Sequence, residues 1–314
     1  MSDLRKAVGE YLRLRRAFGF KMRGVDGPLY SFVAFVEKAG RSYITTDLSL
    51  RWAQLSTDVQ PAAWRARLEK VRGFALWRSS VDPRTQVPAP GLLPYRYHRR
   101  PPYVYRDSEI RKIISAAYQI SSAKGLKGPT YATLFGLLAV TGMRGCEALA
   151  LDRTDVNLEQ GMLYVRQTKF GKSRLVPLHH STCTALSRYA DLRDRILQNP
   201  ASPAFFASDD GARITSGGIK YYFGKMVCEA RIGTPVKRPG RRSPALHGLR
   251  HSFAARTLLD WYRAGLDVER EIPKLATYLG HAHISGTYWY LEAVPELLQF
   301  ATRRLSQVQK EVRR

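Results

Sequence analysis

Four short segments in the second half of the chain carry the residue types that metal-free attack on a phosphate ester requires. They are residues 141–149 (TGMRGCEAL), 167–174 (QTKFGKSR), 247–254 (HGLRHSFA) and 279–284 (LGHAHI), and Tyr290 follows them. The segments supply arginines, a lysine, several histidines and a phenol. Together these groups could neutralise a phosphate, attack it and move the protons that the reaction releases and consumes.

Two arginines and one tyrosine are the strongest candidates for this chemistry. A guanidinium donates paired hydrogen bonds to the non-bridging oxygens of a phosphate and stays charged at any working pH, so Arg144 and Arg250 are predicted to hold it. A tyrosine hydroxyl can form a covalent link that conserves bond energy, so a strand can be rejoined without ATP. Tyr290 is the predicted nucleophile. Because a phenol has an ordinary pKa of about 10, it needs a base or a strong field to lose its proton.

Each segment taken alone has a simpler interpretation. Lys169 could be a solvated lysine on a hairpin. His247 and His251 stand at i and i+4 and could bind zinc, but Arg250 would place a fixed positive charge against the ion. The sequence therefore predicts no metal and no other cofactor.

The four segments in this order resemble the catalytic boxes of the tyrosine recombinase family, also called the phage-integrase family. Residues 141–149 resemble the box of the first arginine, and residues 247–254 resemble the His-x-x-Arg-His box. Residues 279–284 with Tyr290 are similar to the Leu-Gly-His and nucleophile box. The resemblance spans about residues 106–295.

The resemblance implies a set of catalytic residues and two supporting ones. The catalytic set is Arg144, Lys169, His247, Arg250, His281 and Tyr290, and the supporting residues are Glu147 and His251. In this assignment Tyr290 forms a 3′-phosphotyrosine link, and His247 accepts its proton. Lys169 protonates the departing 5′-hydroxyl. Glu147 orients the arginine pocket, and His281 hydrogen-bonds the phosphate or the tyrosine.

Two of these roles have a rival in the sequence. Tyr288 is the alternative nucleophile, and the nine-residue spacing from His281 favours Tyr290 by analogy with the family. Lys172 is the alternative general acid, and Lys169 matches the family position better.

The net charge indicates a polyanionic partner. The 314 residues hold 51 Lys+Arg against 26 Asp+Glu, a formal charge of +25. Such a surface repels itself unless it meets a polyanion, so nucleic acid is predicted and a membrane is not. The longest apolar run, residues 131–140, is too short to span a bilayer, and the first residues lack the apolar core of a signal peptide. Three scattered cysteines favour a reduced, cytoplasmic protein, and the resemblance implies a prokaryotic, nucleoid-associated one.

The chain is predicted to contain a helical DNA-binding domain, a linker and a catalytic domain. Residues 1–87 place apolar side chains at helical spacing with basic residues on the other faces. Residues 88–105 are rich in proline, basic and aromatic residues, which is typical of an extended connector. Residues 106–314 form the catalytic domain. The residues predicted to contact DNA are Arg65, Arg67, Lys70 and Arg72, with a solvated helix face as the alternative, and the connector residues Arg96, Arg99 and Arg100, with a plain linker as the alternative.

The predicted fold class is mainly α with a small β-hairpin or sheet (α+β). Residues 161–169 and 173–178 are β-rich runs on either side of a turn. Ser108 is predicted to cap a helix that runs to about residue 123, and a buried helix is predicted over 129–140. An amphipathic stretch over 295–312 could pack on its own subunit or on a neighbour. The resemblance implies a C-shaped clamp around the duplex.

The function that the resemblance implies is site-specific DNA recombination for integrating or excising a mobile element. The expected partners are double-stranded DNA recombination sites and further copies of the chain in a homotetramer on synapsed DNA, or sister recombinases in a hetero-oligomer. A type IB topoisomerase or a telomere resolvase is an alternative enzyme with similar chemistry. A non-catalytic DNA-binding regulator is the alternative from another class.

Overall fold

A computed structural model describes residues 3–94, 101–166, 173–198, 200–233, 243–281 and 283–293. The chain divides into two compact units, Met1–Arg99 and Arg100–Arg314. It is mostly helical and contains a small three-stranded antiparallel sheet, which confirms the predicted fold class. No helix in these ranges is both long and apolar enough to cross a membrane.

The first unit is built from helices that bury one apolar stripe each. They are α1 (Asp3–Ala17), α2 (Asp26–Lys38), α3 (Thr46–Gln54) and α4 (Pro61–Arg78). Pro61 begins α4, where its fixed φ suits the first helical turn. Phe32, Trp52 and Phe74 lie fully buried where the stripes meet, and Phe32 packs edge-on against Trp52 with ring centroids 5.4 Å apart.

The second unit carries the chemistry-bearing segments on helices and a sheet. The helices are α5 (Asp107–Tyr118), α6 (Lys127–Thr141), α7 (Gly145–Ala150), α8 (His180–Ile196), α9 (Ser216–Glu229), α10 (His247–Arg263), α11 (Val268–Leu279) and α12 (Ser285–Ala293). The strands are β1 (Val156–Asn157), β2 (Met162–Val165) and β3 (Arg174–Pro177).

Helix α5 differs from the prediction at both ends. Its cap is Arg106, whose backbone N–H donates to Glu109 Oε2 at 2.8 Å, and Ser108 lies inside the first turn. The helix stops at Tyr118, short of residue 123, because α6 begins against its last carbonyls. A Cβ on Gly128 would lie 2.6 Å from the Tyr118 carbonyl oxygen, so only glycine permits this approach.

The sheet holds one strand, β3, in a fixed register next to the site. In the β2–β3 pair, Val165 lies opposite Arg174 and Leu163 lies opposite Val176. Leu163, Val165 and Val176 are buried on one face, while Tyr164 and Leu175 are exposed on the other. This alternation fixes the register, since a one-residue slip would expose the buried set. Residues 167–172, between the strands, lie outside the described residues.

Helices α10, α11 and α12 share a separate hydrophobic cluster. Leu258 of α10, Ile272 of α11 and Tyr290 of α12 are buried together in it. The packing joins the helix that begins at His247 to the helix that carries Tyr290. The amphipathic stretch predicted over 295–312 lies outside the described residues.

We expect Gly142→Ala to lower the free energy of unfolding by about 2 kcal/mol or more, because of backbone strain and a steric clash. Gly142 ends α6 with φ +59°, and an added Cβ would lie 2.4 Å from Cδ1 of Phe253. Denaturant unfolding of the full chain measures the change.

Gly224→Ala is the matched control for this prediction. Gly224 lies inside α9, and an added Cβ there meets no atom within 4 Å. Alanine should therefore raise the free energy of unfolding by about 0.5–1 kcal/mol. Equal stability of the wild type and Gly142→Ala would contradict the close packing of α6 against Phe253.

Candidate active site

Arg144 is fixed by its place at the start of α7. The left-handed Gly142 ends α6 and turns the chain, and Arg144 then caps α7 in an extended conformation. Glu147 completes the cap by accepting the Arg144 backbone N–H on Oε2 at 2.8 Å and Nη1 of the same residue on Oε1 at 2.7 Å. Residues 141–149 therefore form a helix start in which Glu147 fixes the backbone and the side chain of Arg144.

The C-terminal end of α11 gathers three arginines. Residues 278–280 present three successive carbonyl oxygens, and each of them accepts a hydrogen bond from a different arginine. The pairs are Arg174 Nε with Tyr278 O at 2.9 Å, Arg250 Nη2 with Leu279 O at 2.7 Å, and Arg144 Nη2 with Gly280 O at 3.0 Å. The last carbonyls of a helix have no intrahelical donor, and they form the negative end of its dipole. A helix end is thus a natural place to concentrate guanidiniums.

Gly280 allows this crowding. It ends α11 in the left-handed conformation with φ +67°. A Cβ there would lie 3.0 Å from Arg174 Nη1 and 3.6 Å from Arg144 Nη1. The Leu-Gly-His segment therefore contributes a bare backbone against which two guanidiniums pack.

Glu147 is the buried anion among these cations, with a side chain only 4% exposed. Burial alone raises the pKa of Glu147, but hydrogen bonds from Arg174 and from the Arg144 backbone outweigh it. The net effect is a pKa below the ordinary value of the carboxyl, so Glu147 is ionised at neutral pH.

Arg250 is the most deeply placed of the predicted phosphate-binding residues, at 2% exposure. Its Nη1 donates to the Gly142 carbonyl at 2.9 Å, so it joins the end of α6 to the end of α11. Burial and the charge of nearby Arg144 lower the pKa of Arg250 to about 10. The guanidinium therefore stays protonated at neutral pH.

Tyr290 points its hydroxyl at a histidine of α10. The distance from Tyr290 Oη to His251 Nδ1 is 3.2 Å, which is within hydrogen-bonding range. The His247 ring stands edge-on to His251 at 4.6 Å between centroids. Tyr290 is 2% exposed, whereas Tyr288, its rival in the sequence, is 40% exposed and lies on the outside of α12. The structure thus places Tyr290, and not Tyr288, beside the histidines.

His281 approaches the same tyrosine from the end of α11. Its ring lies nearly parallel to that of Tyr290, with centroids 6.4 Å apart and an interplanar angle of 18°. Its Nδ1 is 2.7 Å from Oγ1 of Thr287, a buried residue of α12. Arg144, Glu147, Arg250, His251, His281 and Tyr290 are therefore gathered around the contacts of α7, α10, α11 and α12.

Two residues of this arrangement escaped the sequence analysis. Arg174 lies in one of the four segments but carried no assigned role, and Thr287 was not considered. A polar residue whose hydrogen-bond partner lies far away in the sequence leaves no local pattern that predicts the bond. The only available signal for Arg174 was its place in an otherwise apolar β-rich run.

Several predicted residues fall elsewhere. Lys169, its rival Lys172 and the linker arginines Arg96, Arg99 and Arg100 lie outside the described residues. The four basic residues of α4 that were predicted to contact DNA are half-buried and contact other groups of the first unit. Those contacts are Arg65 with Glu69, Arg67 with Ser56, Lys70 with the Gly24 carbonyl and Arg72 with the Pro88 carbonyl. A DNA-binding role for these seven basic residues stays a prediction.

His, Cys, Asp and Glu side chains form no group of three or more that could hold a metal ion within the part of the chain that the structure describes. The pair of His247 and His251 packs ring against ring instead.

Sequence comparisons group the chain with recombinases. A model of the phage integrase family matches residues 104–296. The chain is 44% identical over 309 residues to a protein of Sinorhizobium fredii named putative integrase/recombinase y4rB, covering 97% of this chain and 98% of that protein. It is also 30% identical over 249 residues to the tyrosine recombinase XerD of Caulobacter vibrioides, covering 76% and 73% of the two chains.

Solved structures share the fold at low sequence identity. The XerH site-specific recombinase, in a post-cleavage complex with palindromic difH substrate, matches with a TM-score of 0.66 and 20% identity over 88% of this chain and 77% of that one. A lambda integrase tetramer bound to a Holliday junction matches with a TM-score of 0.60 and 19% identity over 89% and 77%.

Proposed function

The chain belongs to the phage integrase family, and we propose that this recombinase cuts and rejoins double-stranded DNA through a 3′-phosphotyrosine intermediate. The observation that carries the proposal is the cluster of Arg144, Arg250, His251 and Tyr290 at the end of α11. It contains two fixed cations and a phenol with a histidine within reach, which are the groups that phosphodiester transfer needs.

In the proposed reaction the two guanidiniums of Arg144 and Arg250 bind the non-bridging oxygens of the scissile phosphate. They are held in advance by backbone carbonyls, so they need little rearrangement as charge develops on the phosphoryl group. Their charges also favour the phenolate form of Tyr290.

Tyr290 Oη attacks the phosphorus, and the bond from phosphorus to the 5′-oxygen breaks. The phenol proton passes to a histidine. The sequence predicted His247 for this role, and the 3.2 Å contact with Tyr290 favours His251. The departing 5′-oxygen takes a proton from Lys169 in the proposal. Rejoining is the reverse reaction, in which a 5′-hydroxyl attacks the phosphotyrosine.

The proposed partners are specific double-stranded DNA sites and further copies of the chain. The formal charge of +25 supports a polyanionic partner. Two of the solved relatives are bound to DNA, and one of these is a tetramer on a Holliday junction. The likeness to a putative integrase/recombinase supports a role in moving a DNA element.

Covalent trapping tests this function. Labelled duplexes taken from the DNA flanking the gene, nicked so that the cleaved end escapes, are incubated with the wild type in EDTA and separated under denaturing conditions. We expect a protein-linked, protease-sensitive DNA band, because the proposed chemistry uses neither a metal nor ATP.

Other outcomes of the trapping experiment point elsewhere. A band that appears only with added metal would contradict the metal-free mechanism. Relaxation of supercoiled plasmids of any sequence would indicate a topoisomerase. No band on DNA that the protein binds tightly would favour a regulator without catalysis.

A further inference from the structure

Each of the three guanidinium nitrogens of Arg174 donates a hydrogen bond to another group of the protein. Nη1 donates to Glu147 Oε1 at 3.2 Å and Nη2 donates to Glu147 Oε2 at 2.8 Å. Nε donates to the Tyr278 carbonyl at 2.9 Å, and the side chain is only 13% exposed. With each guanidinium nitrogen bonded to another protein group, Arg174 is suited to holding its neighbours and not to binding a substrate.

Glu147 passes this constraint to Arg144. The same two carboxylate oxygens accept Arg144 Nη1 at 2.7 Å and the Arg144 backbone N–H at 2.8 Å. The orientation of Glu147 therefore sets both the side chain of Arg144 and the start of α7. The Arg144 side chain is 24% exposed, so it has surface left for a ligand.

The charges of Arg144, Glu147 and Arg174 also favour a phosphate-binding role for Arg144 and a holding role for Arg174. If Glu147 paired with Arg144 alone, its negative charge would cancel the charge that attracts a phosphate. With two guanidiniums on one carboxylate, one net positive charge remains at the pair. Arg174 thus allows a buried carboxylate to orient Arg144 without neutralising it.

Arg174 itself stands on a rigid element. It is the first residue of β3 and lies opposite Val165 of β2 in the antiparallel register. Strands hold a side chain more accurately than loops do, and accurate placement is what a positioning residue needs.

We infer that Arg174 is a positioning residue of the reaction, which acts through Glu147 to hold Arg144 in the orientation that binds the scissile phosphate. The inference rests on the proposed function and deepens it by adding a residue that does not touch the DNA.

The test compares Arg174→Ala, Arg174→Lys and Arg144→Ala with the wild type on the nicked duplex used for trapping. Misplacing a reacting group by about 1 Å can cost 10²-fold, so we expect the single-turnover cleavage rate of Arg174→Ala to fall by about 10²-fold. Affinity for the uncleaved duplex should change by less than about threefold, because Arg174 itself makes no phosphate contact and Arg144 is only one of many cations on a chain of net charge +25. Arg174→Lys should fall in between, since lysine keeps the charge but cannot bond both carboxylate oxygens and Tyr278 in the same geometry.

Two further readouts separate positioning from a loss of folded protein. The first is the double variant Arg144→Ala/Arg174→Ala, which should cleave no more slowly than Arg144→Ala, because Arg174 acts only through Arg144. The second uses duplexes whose scissile phosphate carries one sulfur, as separate Rp and Sp isomers. Loss of Arg144 orientation should move the ratio of the two cleavage rates toward one, whereas a smaller folded fraction lowers both rates equally.

Arg213→Ala is the matched control. Arg213 also bonds a carbonyl, that of Leu149 at 2.7 Å, and a carboxylate, that of Asp152 at 2.5 Å, but it has no bond to Glu147 among the described contacts. This variant should keep the wild-type Rp/Sp ratio whatever its stability.

The outcomes are distinct. Wild-type cleavage combined with an unchanged Rp/Sp ratio in both Arg174 variants would overturn the inference and leave the proposed function in place. If the losses in cleavage rate caused by Arg144→Ala and Arg174→Ala multiply in the double variant, the inference is overturned as well. If the wild type forms no covalent product on any bound duplex, the proposed function fails and this inference fails with it. Should Arg174→Ala not fold, Arg174→Lys carries the same comparison.

Discussion

Tyr290→Phe should form no covalent complex with DNA while binding the same duplex as tightly as the wild type. The reaction needs the phenolic oxygen as the atom that bonds to phosphorus, and phenylalanine has no group that replaces it. The ring of residue 290 packs against His251 and Trp289, and phenylalanine keeps that packing. Removal of the hydroxyl contact with His251 should cost about 1 kcal/mol of folding free energy.

Tyr288→Phe is the control for this variant. It removes a hydroxyl from the same helix, two residues away, at a side chain that is 40% exposed. Denaturing gels and filter binding on the same labelled duplex measure cleavage and affinity separately. A covalent band that survives in Tyr290→Phe and disappears in Tyr288→Phe would keep the chemistry and move the nucleophile. Survival in both variants would rule out either tyrosine.

Arg250→Ala should lower the cleavage rate by about 10³-fold or more, the scale on which loss of a preorganised donor to a developing charge is felt. Arg250 is buried, and its guanidinium bonds the carbonyls of Gly142 and Leu279. Alanine leaves both carbonyls without this donor, so the unfolding temperature of the variant has to be measured beside its cleavage rate. Single-turnover trapping on a duplex that the variant still binds gives the rate.

Arg250→Lys gives a second, pH-dependent readout that misfolding cannot imitate. Burial and the charge of Arg144 lower the pKa of Arg250 to about 10 and leave the arginine protonated. A lysine starts from an ordinary pKa of about 10.4, so the same surroundings would leave it partly neutral at mildly alkaline pH. The variant should therefore lose cleavage as the pH rises from 7 to 9, relative to the wild type at each pH. A constant ratio between the two across this range would contradict a charge-based role for residue 250.

Arg250 is one of three arginines that meet at the C-terminal end of α11. This helix end holds three cations close together by giving each a carbonyl oxygen, and Glu147 adds one negative charge beneath two of them. Mutual repulsion among the guanidiniums would otherwise spread them apart. The cluster is therefore assembled before any phosphate arrives, which reduces the reorganisation that binding requires.

The local features of the fold and the family of the site residues could be predicted from the amino-acid sequence. Apolar spacing predicted helices in residues 1–87, where the structure places α1 to α4. Two β-rich runs on either side of a turn predicted the strands β2 and β3. The order and types of Arg144, Arg250, His281 and Tyr290 indicated the family, which the comparisons confirmed. Such signals are readable because periodicity and residue type are properties of a short stretch of chain.

The hydrogen bonds among those residues could not be predicted from the sequence, because they depend on how the helices pack. Arg144 meets the Gly280 carbonyl, Glu147 is shared with Arg174, and the Tyr290 hydroxyl faces His251. These contacts join positions that are 27 to 136 residues apart in the sequence. They depend on where the ends of α6 and α11 come to lie after the helices pack. No local pattern reports that packing, because a hydrogen bond between distant residues constrains neither the spacing nor the hydrophobicity of the segments it joins.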